Sequence, residues 1–175
     1  MPRKKYKGIF LNILMQKEVK AELKREFEKL QKEKDEAVRN ADYELAASLR
    51  DEAQRMLEKK SKMQVRRVIR HVLQQCWRLD MTGLDHGELS HAPKHVIVDK
   101  HGEPFIVDFE TASVNRKPAN VTAMCQYLFA SHGSVARIVT EATGKKNLKK
   151  IIEALRLYKR DRTRRNFERL MQVCF

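Results

Sequence analysis

The chain has 175 residues, with 37 Lys+Arg against 23 Asp+Glu, a net charge of +14 and 42% hydrophobic residues. That apolar share is enough for one modest core with a helical appendage, and the charge favours acidic partners such as RNA, DNA or an acidic protein surface. Cys76, Cys125 and Cys174 are widely spaced and form no CxxC, which argues against a disulfide framework or zinc ribbon and for a reducing, cytoplasmic setting.

Residues 1–16 form a basic lead, with Arg3, Lys4, Lys5 and Lys7, followed by the apolar run Ile9-Phe10-Leu11-Asn12-Ile13-Leu14-Met15. The run is short, holds an Asn and has no small-residue cleavage site after it, so it does not read as a signal peptide. No stretch of the chain approaches the roughly 20 apolar residues of a membrane span.

Residues 17–63 contain no Gly or Pro and are dense in Glu, Lys, Arg and Ala, which are good helix formers. Leu23, Phe27, Leu30, Ala37, Val38 and Ala41 recur at helical spacing, and so do Leu45, Ala46, Leu49, Ala53, Met56 and Leu57. Between the two stripes Asn40-Ala41-Asp42-Tyr43 interrupts, with Asp42 suited to N-cap the second helix and Glu44 placing a carboxylate in its first turn. The pattern predicts two antiparallel helices, with Ala46, Ala47 and Ala53 small enough to let them approach closely.

Leu30, Lys34, Ala37-Val38, Asp42-Tyr43-Glu44-Leu45-Ala46-Ala47 and Leu49-Arg50-Asp51-Glu52 together resemble the UVR motif. That motif is the helical hairpin of the excinuclease subunits UvrB and UvrC and of Clp-protease adaptors. The resemblance implies a protein-docking module that often pairs with another copy of itself, and hence a protein partner or a homo-oligomer. A charged hairpin packing only on its own chain is the competing reading.

Gln64–Asp80 reads as a further amphipathic helix, with Val65, Val68, Ile69, Val72, Leu73, Cys76 and Leu79 on one face and Gly83 as its C-cap. The runs His95-Val96-Ile97-Val98 and Phe105-Ile106-Val107 flank a turn with Gly102 and Pro104, which predicts a β-hairpin. Its pairing brings Glu88, His95 and Asp108 together, an acidic centre fit to hold a divalent cation or do acid/base work. His86, His91, His95 and His101 are close in sequence, but their spacing matches no common zinc site.

His86-Gly87-Glu88-Leu89-Ser90, then Lys94-His95-Val96-Ile97-Val98, Asp108-Phe109-Glu110 and Arg116-Lys117-Pro118-Ala119-Asn120-Val121-Thr122 follow in the order of a protein-kinase catalytic core. The stretch from about Gln64 to Thr140 resembles the Rio-like and other atypical archaeal predicted serine/threonine kinases. The resemblance implies a kinase-like C-terminal lobe over residues 64–175, with Mg-ATP as cofactor. It casts Glu88 as the group orienting an acceptor hydroxyl, Asp108 as a catalytic metal ligand, and Ser90, His95 and Asp108 as cofactor contacts. His95 and Asp108 would be the metal ligands. Glu88 replaces the family's Asp, His95 its metal-binding Asn and Glu110 its Gly. Between Gly8 and Gly83 there is no glycine, hence no Gly-rich phosphate loop, and a helical hairpin stands where a nucleotide lobe belongs.

Beyond Glu110, Val121–Ser131 and Val135–Ala142 read as helices, and Lys145–Val173 as one long basic helix. The fold class expected is mainly α with a small β-hairpin: an N-terminal helical hairpin plus a kinase-like lobe. The sequence leaves an active phosphotransferase, a pseudokinase, a partner-docking protein and a basic RNA- or ribosome-associated protein all standing.

Overall fold

The computed structural model describes residues 21–99 and 101–175. The basic lead 1–16, its apolar run and the expected hairpin start at 17–20 lie outside the described residues. Helix α1, Ala21–Arg39, runs antiparallel to the start of α2, Tyr43–Met81. The turn between them closes with bonds from Ala41 N to Val38 O at 3.1 Å and from Asp42 N to Ala37 O at 2.9 Å, a Schellman ending. Ala41 takes the left-handed position, φ 58°, which glycine usually fills. Asp42 caps α2, its carboxylate accepting from Leu45 N at 3.0 Å.

Small residues hold the pair together. Ala37, Ala46 and Ala53 are buried, whereas Ala47 is exposed. The absence of β-branched bulk at these three positions lets the helices come close. At the turn, Val38, Tyr43 and Leu45 stay open to solvent.

The expected break near residue 63 is absent. The second hairpin arm and the expected helix Gln64–Asp80 are one 39-residue helix, α2. No Gly or Pro interrupts residues 57–70, so no helix breaker stops the helix there. It ends at a second Schellman motif, Gly83 N to Asp80 O at 3.3 Å and Leu84 N to Leu79 O at 3.1 Å, with Gly83 at φ 78°.

The second half of α2 packs against α3 (Asn120–Cys125), α4 (Ser134–Thr143) and a two-stranded sheet. Helix α3 runs on into a π-helical turn, Gln126–Ala130. The expected single helix over Lys145–Val173 is two: α5, Leu148–Arg160, and α6, Arg164–Cys174. Asp161 is extended, and Thr163 caps α6 by accepting from Asn166 N at 3.3 Å. Asp and Thr compete with helix for backbone bonds, which puts the break there.

Strands β1 (Val96–Val98) and β2 (Pro104–Ile106) pair antiparallel, Val96 opposite Ile106 and Val98 opposite Pro104. Val96 and Val98 point into the core and Ile97 outward, the alternation a half-buried strand requires. The Gln75 side chain accepts from Ile106 N at 3.2 Å and donates to Pro104 O at 2.6 Å. It thereby satisfies the backbone of β2 and fastens the hairpin to α2. Among the described residues no helix is long and apolar enough to cross a membrane.

Candidate functional site

The loop from Gly83 to β1 is fixed from below by a buried polar network. Asp80, at the end of α2, accepts at Oδ1 from Asn120 N at 2.9 Å and Asn120 Nδ2 at 2.8 Å. Its Oδ2 accepts from Tyr158 OH at 2.9 Å. Asn120 Nδ2 also donates to Leu84 O at 2.7 Å, and its Oδ1 accepts from His86 N at 2.9 Å. One carboxylate and one amide thus join α2, α3, α5 and the loop. Burial and the neighbouring Asp80 carboxylate push the Tyr158 phenol far above its ordinary range, so it stays a donor.

Above this network Asp85 forms a bridge with Ser113, 2.9 and 2.8 Å, and its carboxylate takes Arg116 Nε at 2.8 Å and Ala119 N at 3.0 Å. The Arg116 guanidinium lies over Gly87. A Cβ on Gly87 would come within 2.6 Å of Arg116 Nη2, and φ there is 90°. The position therefore favours glycine for its conformation, and an added Cβ would also displace the Arg116 guanidinium.

His86 is fully buried. Its Nε2 lies 3.0 Å from Val107 O, so Nε2 carries the proton. The ring also packs on Phe109, centroids 4.9 Å apart, and edge-on to His95 at 5.1 Å. These contacts fasten the loop to the segment after β2.

Two 3-10 turns over Leu89–Lys94, joined at a kink at His91, sink Leu89 and Ala92 into the core. Glu88 sits at their start without making a capping bond, which frees the carboxylate. The hairpin ladder continues past its strands through Val107 N to His95 O at 2.9 Å. His95 and Asp108 are brought to the same end of the hairpin in this way. Asp108 has φ 68°, a left-handed backbone uncommon outside glycine.

Glu88, His95 and Asp108 converge, one possible ligand atom from each lying within 4.8 Å of the others. His95 Nε2 is 3.1 Å from Glu88 Oε2 and Nδ1 is 3.3 Å from Asp108 Oδ2. The ring is nearly inaccessible, and Nδ1 makes no hydrogen bond. Burial, then the adjacent His86, lower the His95 pKa from its ordinary 6.5, against the two carboxylates, which raise it.

Ser90 stands apart from the three, exposed, its hydroxyl 3.2 Å from His91 Nδ1. His91 and His101 are exposed and outside the cluster. Sequence reasoning missed Asp80, Asn120 and Tyr158 as the supporting network. The available signal was a carboxylate four residues beyond Cys76, on the stripe that α2 turns inward.

A family model described as the UvrB/UvrC motif matches residues 24–59, the span of α1 and the first part of α2. No curated protein and no solved structure matches the chain.

Proposed function

We propose that residues 64–175 are a kinase-like C-terminal lobe that binds a phosphate-bearing ligand at Glu88, His95 and Asp108 without transferring phosphate, and that the hairpin docks this lobe on a protein partner. The observation that carries the reading is the convergence of Glu88, His95 and Asp108, in the chain order that the kinase resemblance implies. The left-handed backbone at Asp108 and the His86 contact to Val107 support it, because they hold the carboxylate at one place relative to the loop.

Mg²⁺ does not fit this donor set. It demands oxygen ligands, and the innermost group here is the His95 ring, with an unpartnered nitrogen. No transfer step through Mg-ATP follows from these residues. Among the described residues, everything N-terminal to the loop is helix and turn, so strands for a phosphate-gripping lysine are not part of that region. Binding is therefore the activity the chemistry supports.

Docking rests on the UVR-like match and on the exposed Val38, Tyr43 and Leu45 at the tip. Pairing of two copies through the same tip is one form of it.

Thermal unfolding with ATP and each divalent cation in turn tests the ligand reading. A rise in Tm that disappears in Asp108→Ala is expected; an unmoved wild-type Tm sinks it. Transfer of labelled phosphate to any protein would replace binding with catalysis. For the tip, Leu45→Glu should abolish partner capture or self-association, and unchanged association would remove docking.

A nucleic-acid reading draws on the net charge and on the exposed Lys149, Lys150, Arg156, Lys159, Arg160, Arg165 and Arg169 of α5 and α6. Two of the neighbouring arginines are engaged internally: Arg162 donates to Pro118 O at 2.7 Å and Arg164 to Glu168 at 2.7 Å. RNA affinity falling steeply with salt would favour this reading, and a flat response would exclude it.

A further inference from the structure

We propose that Glu88, His95 and Asp108 bind a borderline divalent transition-metal ion of the Zn²⁺ class in preference to Mg²⁺, with Glu88 a metal ligand rather than a base. The proposal rests on the reading above for the place of the site and departs from it in the chemistry.

The His95 side chain is 4% exposed, and its two nitrogens lie 3.1 Å from Glu88 Oε2 and 3.3 Å from Asp108 Oδ2. A neutral imidazole has one N–H and one lone pair. With the proton on Nε2, the Nδ1 lone pair faces the Asp108 carboxylate. With the proton on Nδ1, the Nε2 lone pair faces Glu88. Either tautomer sets two electron-rich atoms against each other at contact distance with no proton between them. Buried Nδ1 has no hydrogen-bond partner, which leaves the conflict unrelieved on that side.

A cation resolves it, because nitrogen and carboxylate can both donate to the same ion.

The nitrogen decides which cation. Imidazole suits Zn²⁺ and its neighbours, with bonds of about 2.0–2.1 Å, while Mg²⁺ keeps to oxygen. One imidazole and two carboxylates make three protein ligands, the number that leaves a position open in a catalytic or binding zinc site. The opening exists: the Glu88 and Asp108 side chains are 45% and 46% exposed, so the carboxylate side of the site meets solvent. Water or a phosphate oxygen would take the remaining position.

The test uses the full chain, stripped with a chelator, and metal alone without nucleotide. Zn²⁺ binding is followed by calorimetry, and Co²⁺ by its visible absorption. Wild type should bind one Zn²⁺ tightly, and Mg²⁺ in large excess should fail to displace Co²⁺. Glu88→Gln, isosteric at a half-exposed position, should weaken Zn²⁺ about 10–100-fold. His95→Asn, checked for folding by circular dichroism, should lose the preference for Zn²⁺ over Mg²⁺.

Three outcomes overturn the proposal. The first is equal Zn²⁺ binding in wild type and Glu88→Gln, which assigns the metal to exposed histidines such as His91, His101 or His132. The second is displacement of Co²⁺ by Mg²⁺. The third is no Zn²⁺ binding at all by wild type. Nucleotide binding is measured separately. Zn²⁺ binding without nucleotide binding upholds this inference and removes the phosphate-ligand reading. Mg-ATP binding that survives His95→Asn, with no Zn²⁺ bound by wild type, does the reverse.

Discussion

The two halves of α2 are held in different ways. The first half lies against α1 through buried Ala37, Ala46 and Ala53, with Phe27 and Leu30 only half-covered. The second half buries Val68, Ile69, Val72, Leu73 and Cys76, none more than 2% exposed. A fully buried Leu or Ile contributes about 1.5–3 kcal/mol, and an alanine methyl far less. The lobe also carries the Asp80–Asn120–Tyr158 network, whereas the arm's polar contacts are exposed pairs such as Lys29–Glu33, worth little. One continuous helix therefore passes from a thin, locally held arm into a densely packed lobe. Packing is divided along it: the arm leaves Val38, Tyr43 and Leu45 open at its tip, and the lobe buries its own apolar residues.

The sharpest way to break that contrast is Asp80→Ala. It strands the Asn120, Tyr158 and Val121 donors in the core. A loss of at least about 3 kcal/mol in urea unfolding is expected, together with loss of metal binding, because the loop loses its foundation. A loss under about 1 kcal/mol would mean the network is not what holds the lobe.

Next comes Gly87→Ala, which meets Arg116 and a left-handed backbone at once. About 1–3 kcal/mol is expected, read as a drop in denaturation midpoint.

Ala53→Glu strikes the arm instead. It should remove amide-exchange protection from α1 while leaving protection of residues 65–76 in α2 unchanged; loss of both would show that arm and lobe fold as one unit.

Tyr158→Phe should cost about 1 kcal/mol and change the alkaline limb. The folded phenol titrates far above the unfolded one, so its contribution is complete below about pH 10 and is lost as pH rises beyond that. The phenylalanine variant should lack that part of the alkaline decline.

Smallest and opposite in sign is Ala41→Gly. Relief of the left-handed alanine should raise stability by about 0.5–1 kcal/mol, in the arm alone.

Much of this division was legible in the residues. The helical stripes, the Asp42 cap, the Gly83 ending and the β-hairpin are local signals, and each appears where its chemistry puts it. The convergence of Glu88, His95 and Asp108 was legible because a hairpin register fixes which residues share an end. What was not legible came from non-local choices. The joining of the two stripes into one helix was legible only as a missing breaker, since residues 57–70 hold no Gly or Pro. The break at Asp161–Thr163 was hidden inside a periodic basic stretch, although both residues favour caps. Asp80, Asn120 and Tyr158 are far apart in sequence, and only packing brings them into one network.

The unbroken α2 makes geometry heritable from tip to site. With 39 residues at about 1.5 Å each, it acts as a ruler nearly 60 Å long, and as a dial. Each residue added between Leu57 and Val65 would turn the tip by about 100° relative to the lobe, since a turn takes 3.6 residues. A seven-residue insertion would restore the facing to within about 20° while moving the tip outward. A partner that gripped Tyr43 and Leu45, as proposed above, would be presented to the lobe at one distance and one angle. Insertions of one and of seven residues separate the two: loss of coupling in both would mean distance governs, and loss in the first alone would mean angle does.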